Sequence, residues 1–206
     1  AREVAAELHG AAPEEEPAPP ESRVEESIRA LAAEVRKLKL EVAAPEAEYR
    51  SFAGMGPAAS KVYFVPRGLS LGGYGEVNYE NFRDAEKRDR SDLLRFVLYT
   101  GYRFTDRVVF NAELEFEHAH TGKKGEVEVE FAYLDFLIRD WLRLRVGNVL
   151  VPVGFINEVH EPPFFHGVLR PDVERLILPT TWNDNGLGLH GDVGPLRYKA
   201  YLLNGL

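Results

Sequence analysis

After about residue 68 the apolar residues of this chain recur at every second position, and before it they recur at every third or fourth. A period of 2 sends successive side chains to opposite faces of a strand, so the chain beyond residue 68 is read as a sheet with one apolar and one polar face. In residues 108 to 117 Val108, Phe110, Ala112, Leu114 and Phe116 alternate with Val109, Asn111, Glu113, Glu115 and Glu117. Val127, Val129, Phe131 and Tyr133 then alternate with Glu126, Glu128 and Glu130. Leu142, Leu144, Val146 and Leu150 oppose Arg143 and Arg145, and Leu196, Tyr198, Ala200 and Leu202 oppose Arg197 and Lys199.

Weaker patterns cover residues 69 to 80 (Leu71, Val77, Tyr79), 93 to 104 (Leu94, Phe96, Leu98, Tyr102, Phe104) and 186 to 193 (Leu187, Leu189, Val193). About seven strands are therefore expected, each of a length suited to a tilted bilayer crossing of roughly 9 to 11 residues.

Register narrows the reading, because neighbouring strands must place their apolar residues on one side of the sheet. A two-residue turn at Arg139-Asp140 would pair Leu137 with Leu142, Tyr133 with Val146 and Val129 with Leu150. Gly194-Pro195 would pair Val193 with Leu196 and Gly191 with Tyr198. A three-residue turn at Thr105, Asp106 and Arg107 would pair Phe104 with Val108 and Leu98 with Leu114.

These three connections are tight, whereas residues 81 to 91, 118 to 125 and 154 to 185 form longer ones. Short turns on one side and long loops on the other characterise outer-membrane barrels. Tyr102, Phe104 and Trp141 fall beside the tight turns, where a periplasmic aromatic girdle would lie. A soluble β-sandwich or lipocalin-like barrel, with its apolar face inward, shares the alternation and stays open as an alternative.

Residues 11 to 22, AAPEEEPAPPES, combine four prolines and four glutamates with no apolar period, so residues 1 to 22 are expected to form a disordered leader. Val24, Ile28, Leu31, Val35, Leu38 and Val42 then share one stripe of a helix over residues 23 to 44, with Ser22 as N-cap and Pro45 as stop. β-branched residues at 28, 35 and 42 with leucines at 31 and 38 match a dimer-favouring coiled coil, although a helix packed on its own domain would give the same stripe. Residues 45 to 67, holding Gly54, Gly56, Pro57 and Pro66, are expected to be a linker.

Composition excludes more than it selects. Zero cysteines remove disulfides, thiolate metal sites and thiol catalysis. The net charge of -8 is interleaved with basic residues, so nucleic acid is not an expected partner. No run of 18 apolar residues and no intact signal peptide is present, which would place Ala1 at or beyond a processed end of an exported protein.

The stretch GNVLVPVG at residues 147 to 154, followed by a long loop and NGLGLHGDVGPLRYKAYLLNG at 185 to 205, resembles the phosphate- and polyphosphate-selective porins. The resemblance covers residues 69 to 206. It implies a trimeric channel of sixteen or eighteen strands in the outer membrane, in some members with an N-terminal periplasmic coiled coil. Seven strands do not close so wide a pore, and the chain stops at Asn204-Gly205-Leu206 directly after a strand, so a fragment is expected.

The polar face expected to line the pore carries Glu113, Glu115, Glu117, Glu126, Glu128 and Glu130 against Arg95, Arg103, Arg143, Arg145, Arg197 and Lys199. Counted this way, it gives no case for phosphate. The loop of residues 157 to 184 is rich in Phe, Pro and Leu. It would either fold inward, with Arg170, Asp172, Glu174 and Arg175 at a constriction, or pack against a neighbouring subunit. Glu158, His160, Glu161 and His166 lack the spacing of a helical metal motif, and Pro162-Pro163 prevents that helix.

No cofactor, metal or catalysis is therefore expected. The fold expected is mainly β, an up-and-down transmembrane barrel in part, preceded by a coiled-coil helix. Its function would be passive diffusion of small hydrophilic solutes across the bacterial outer membrane, with lipid and copies of itself as partners and the N-terminal segment in the periplasm. Two alternatives stand beside it: a cell-envelope tether whose helix binds peptidoglycan or a periplasmic partner, and a soluble β-domain holding an apolar ligand.

Overall fold

The computed structural model describes residues 20–43, 50–83, 86–118 and 125–205 of the 206-residue chain. It divides into two compact units, Ala1–Ala47 and Glu48–Leu206.

In the first unit, helix α1 (Pro20–Ala43) begins with proline at its first position, where a missing N–H costs nothing. It therefore starts earlier than expected, and Ser22 lies inside the first turn rather than capping it. Val24, Ile28, Leu31 and Val35 are all exposed, as an unpaired apolar stripe would be. Leu38 and Val42 continue the helix, but their side chains, like residues 1–19 of the expected leader and all of residues 44–49, lie outside the described ones.

The second unit is built on one antiparallel sheet of seven strands: β1 (Gly68–Glu80), β2 (Arg90–Thr105), β3 (Val108–Glu117), β4 (Glu126–Arg139), β5 (Leu142–Leu150), β6 (Asn183–Val193) and β7 (Leu196–Leu203). Each strand pairs with the next in sequence, in the order β1 to β7, and the sheet is open, with β1 and β7 as its edges. The hairpin at Gly194-Pro195 pairs Val193 with Leu196 and Gly191 with Tyr198, as expected. At the turn near residue 106 Leu98 faces Leu114 as expected. Val108, however, pairs with Thr105, because an irregularity falls between Arg103 and Thr105.

The third hairpin differs. Its turn residues are Asp140 and Trp141, and Tyr133 pairs with Gly147, Leu134 with Val146 and Leu137 with Arg143. The cause lies upstream, in a bulge of β4 opposite Glu113/Leu114, where Glu113 pairs with Phe131 and Leu114 with Val129. One extra residue inverts every side chain beyond it. Val127 and Val129 consequently share the outer face with Leu114 and Phe116, whereas Phe131, Tyr133 and Asp135 turn to the inner face and are buried. Val149 and Leu150 at the end of β5 are both buried, so Leu150 leaves the outer row too.

Residues 50–66 are not a linker. Helix α2 (Pro57–Ser60) and a 3₁₀ turn (Lys61–Tyr63) lay them across the inner face as a strap. Gly and Pro break regular structure here, but Phe52, Met55, Ala59, Val62 and Tyr63 supply apolar area to bury, and they do so against Val97, Tyr99, Val109, Phe131, Tyr133, Val149 and Leu150. Phe52 stacks on Tyr63 with ring centroids 3.8 Å apart. Arg103 fastens the strap to β2 by donating from Nη1 to the carbonyls of Tyr63 (2.9 Å) and Val65 (3.1 Å).

The two faces of the sheet are thereby opposite in kind. The inner face is covered and charged. The outer face is uncovered and apolar, with Leu69, Leu71, Val77 and Tyr79 on β1 and Leu187, Leu189 and Val193 on β6, all well exposed. Tyr102, Phe104 and Trp141 stand exposed at its tight-turn end.

The strap sits where β2 has no side chain. A Cβ added to Gly101 would lie 2.6 Å from Val62 Cγ2. Gly101→Leu is expected to lift the strap at a cost of about 1–3 kcal/mol. Trypsin cleavage at Lys61 and Arg67 should then accelerate roughly tenfold with strand content by circular dichroism unchanged. Unaltered protection of both sites would mean that the strap does not lie on Gly101.

Candidate functional site

The inner face is the site, because polar side chains that alternation sends inward are there enclosed by two covering segments, the strap and the connection of residues 151–182. Its deepest element is Asp135 on β4, fully buried. Its Oδ2 accepts from Arg145 Nη2 on β5 at 2.8 Å and from the Tyr63 hydroxyl of the strap at 2.7 Å, and its Oδ1 lies 3.0 Å from His190 Nε2 on β6. Arg145 stacks its guanidinium over the Tyr133 ring, 4.1 Å from the centroid. Asn111 on β3 donates from Nδ2 to the carbonyl of Ala59 at 2.7 Å and to the Tyr133 hydroxyl at 3.1 Å. Three strands and the strap are thus joined through one carboxylate.

The 151–182 connection folds inward over the same face. His160 Nε2 lies 3.2 Å from Glu113 Oε2, and its Nδ1 lies 3.0 Å from the carbonyl of Asn157. A ring with acceptors at both nitrogens is best served as an imidazolium. Burial opposes that charge, but the Glu113 carboxylate outweighs it and raises His160 above its ordinary range. Glu161 Oε1 accepts from the backbone N–H of Ala58 (2.9 Å) and Ala59 (3.2 Å), capping α2 from the connection. Burial raises the Glu161 carboxyl, and these two donors only partly counter it. Glu158 accepts from Lys199 on β7, and Gly56 N–H donates to the Glu158 carbonyl at 3.1 Å, so strap, connection and sheet lock together.

Of the expected constriction residues, Arg170 and Glu174 are buried. Arg170 donates to Thr181 Oγ1 at 2.9 Å, and Glu174 accepts from Phe155 N–H at 2.6 Å. Asp172 and Arg175 instead pair with each other at 2.8 Å in solvent, because the π-type turn over Val173–Ile177 directs them outward. All ten expected lining residues lie on the inner face. Glu113, Glu115, Glu130, Arg143 and Arg145 are buried, Glu117 and Lys199 half-buried, and Glu126, Glu128 and Arg197 exposed.

Periodicity placed Asn111 on the polar face but missed Tyr63, Asp135, His160, His190 and the strap. The one available signal was Asp135 itself, a lone carboxylate in the otherwise apolar run Phe131–Ile138. Among the described residues no group of three or more His, Asp and Glu stands so as to hold a metal ion.

No family model matches the chain, and no solved structure does. An uncharacterized protein of Aquifex aeolicus (strain VF5) is 51% identical over 174 residues, which is 83% of this chain but 40% of that protein. The chain thus spans about two fifths of the length of the relative it matches.

Asp135→Asn leaves Arg145 buried without a counter-charge and is expected to cost about 3–5 kcal/mol in urea unfolding. Tyr63→Phe removes one hydrogen bond and should cost about 1 kcal/mol; equal, small losses for both variants would show that the carboxylate is not the keystone.

The raised His160 carries a pH signature. Its contribution is complete below an unfolded value of about 6.5 and is lost as pH rises through the higher folded value. The stability difference between wild type and His160→Gln should therefore be largest near about pH 6 and shrink toward about pH 9; a difference that grows with pH contradicts the His160–Glu113 pair.

Proposed function

We propose that this chain forms part of an outer-membrane β-barrel channel through which small hydrophilic solutes pass passively. The observation that carries the reading is the inverted distribution of polarity. The outer face of the sheet exposes large apolar side chains on β1, β2, β4, β5, β6 and β7, with Phe110, Leu114 and Phe116 of β3 half-buried between them, far more than a soluble monomer leaves in water, and the charges are on the covered side. Hydrocarbon is the solvent that such an outer face fits, and Tyr102, Phe104 and Trp141 suit the bilayer interface at the tight-turn end.

Lipid tolerates no open sheet edge, so β1 and β7 need further strands between them. The extra length of the Aquifex relative has room for them. Seven strands in two fifths of that length scale to about sixteen to eighteen, within the range of such barrels. No described helix is long and apolar enough to cross a membrane, so α1 belongs beside the bilayer in this reading. Its stripe of Val24, Ile28, Leu31 and Val35 would be covered by the same helix of other copies.

The inner face carries charge and a strap in place of an apolar cavity, which gives a soluble β-domain holding an apolar ligand no support. A pure tether would need no charged lumen.

The full-length protein should fractionate with outer membranes, migrate differently on a gel before and after heating, and give stepwise conductance in planar bilayers. Removing residues 20–43 should abolish cross-linking between copies and leave unit conductance within about twofold. Recovery in the soluble fraction without detergent would sink the reading.

A further inference from the structure

We infer that the tight-turn rim of the sheet is a seat for anionic phospholipid, with Arg139 and Arg107 holding the headgroup phosphate. This rests on the channel reading above, which puts these turns at one surface of the bilayer. The rim comprises residues 66–68, 103–108, 137–143 and 192–197, where β1 begins and the three tight turns reverse the chain. Its charged residues are six arginines and three aspartates, with no lysine, glutamate or histidine, in a chain whose net charge is -8. A surplus of guanidinium is thus gathered at one end of an acidic chain.

The three aspartates are already engaged. Asp192 holds Arg143 at 2.8 Å and Arg197 at 2.9 Å, Asp106 lies 3.5 Å from Arg67 and 3.9 Å from Arg103, and Asp140 lies 3.7 Å from Arg143. Two exposed guanidiniums remain. Arg139 donates to the carbonyl of Ile138 at 2.9 Å, a neutral acceptor that leaves its charge uncompensated, and no side-chain hydrogen bond or ion pair joins Arg107 to another of the described residues. They belong to neighbouring turns, which meet where the Leu137 N–H donates to the Arg107 carbonyl at 2.8 Å.

Register decides which way Arg139 faces. The pairing of β4 with β5 slips between Leu137 and Arg139, so that Leu137 lies opposite Arg143 on the inner face while Arg139 lies opposite Leu142. Leu142 begins the outer row of Leu144 and Val146, and residues opposite each other in an antiparallel pair share a face, so Arg139 is carried to the apolar side beside Ile138 and Trp141, both exposed. The Tyr198 hydroxyl fixes that corner by donating to the Trp141 carbonyl at 2.7 Å, and Tyr102 and Phe104, with ring centroids 4.8 Å apart, flank the turn that carries Arg107. At the margin of hydrocarbon an arginine keeps its methylenes on the apolar surface and extends its charge to the headgroup layer. A phospholipid presents apolar chains to Ile138 and Trp141 and an anion to Arg139 at once, whereas free phosphate meets only the second need. Guanidinium grips phosphate through paired hydrogen bonds, and the surplus of arginine over aspartate favours a headgroup of net negative charge over a zwitterionic one.

Because neither arginine is held by a carboxylate of the chain, both can be changed without threatening the fold. The full-length protein is incorporated into phosphatidylcholine vesicles carrying a trace of spin-labelled phosphatidylglycerol or of spin-labelled phosphatidylcholine, and the immobilised fraction of each label gives their relative association. The wild type should favour phosphatidylglycerol by about fivefold at low salt, and Arg107→Gln/Arg139→Gln should bring the ratio within about twofold of one, with gel migration before and after heating unchanged. Arg107→Lys/Arg139→Lys keeps the charge and should keep most of the preference. Replacing chloride by inorganic phosphate at equal ionic strength should leave the ratio as it was. Phosphate that erases the preference marks a site for free anions and overturns the inference, as does a wild type without preference or a preference that survives the glutamines. Each of those results leaves the channel reading standing. A protein that does not enter the vesicles at all overturns both.

Discussion

The structure depends on keeping Asp135 charged in a place with no water. A carboxylate without access to solvent is tolerated only when its lone pairs are met by cations and donors, and the penalty for leaving one unmet is several kcal/mol. Here the partners come from β5, β6 and the strap, so each of these must be in register for the charge to be compensated. The site therefore fixes the pairing of β4 with β5, the position of His190 on β6 and the seat of Tyr63. A segment rich in Gly and Pro, with little regular structure of its own, acquires one position because Tyr63 has one carboxylate to reach and Val62 one glycine to sit upon.

The strands and their order were legible in the sequence because a half-buried strand writes its two faces as alternate letters, and seven runs did so with few interruptions. β3 is the clearest case: every residue from Val109 to Glu117 at odd positions faces inward, as its letters say. The hairpin at Gly194-Pro195 was legible for the same reason, since a two-residue turn leaves one register that keeps Val193 and Leu196 on the same face. What alternation cannot report is a place where the count slips. The bulge in β4 adds one residue, and because Glu130 is followed by Phe131, Ala132, Tyr133 and Leu134, the sequence beyond the slip is apolar enough to read either way. Asp135 fits the apolar row of the unslipped reading only as an exception, and the structure removes the exception by turning it inward.

The strap and the inward connection were illegible for a different reason. Their positions rest on contacts across long stretches of chain, such as Glu161 with Ala58 and Asn111 with Ala59, and on complementarity to a surface that exists only once the strands have paired. Local signals at Gly54, Gly56 and Pro57 are breaker signals, and they correctly exclude a long helix without saying what the broken segment packs on. Likewise the loop residues Arg170 and Glu174 differ from Asp172 and Arg175 only by the geometry of one turn, which places the first pair against the sheet and the second in solvent.

Composition also misjudges the electrostatics of the inner face, where acidic and basic residues are similar in number. What sets the field of this face is not the count but the charge left after internal pairing, and pairing is a matter of position along the strands. At the tight-turn end guanidiniums and carboxylates alternate between neighbouring strands, so Arg143 and Arg197 close on Asp192 and Arg145 closes on Asp135. At the other end β3 and β4 set carboxylate against carboxylate, and Arg95 reaches only part of the row. Among the described residues the two ends thus differ, with guanidiniums set against carboxylates toward the turns and carboxylates set against carboxylates toward the loops, and this follows from strand register as directly as the apolar outer face does. A slip of one residue at the β4 bulge would remove both features together, which ties the packing of the fold to the electrostatics of its interior.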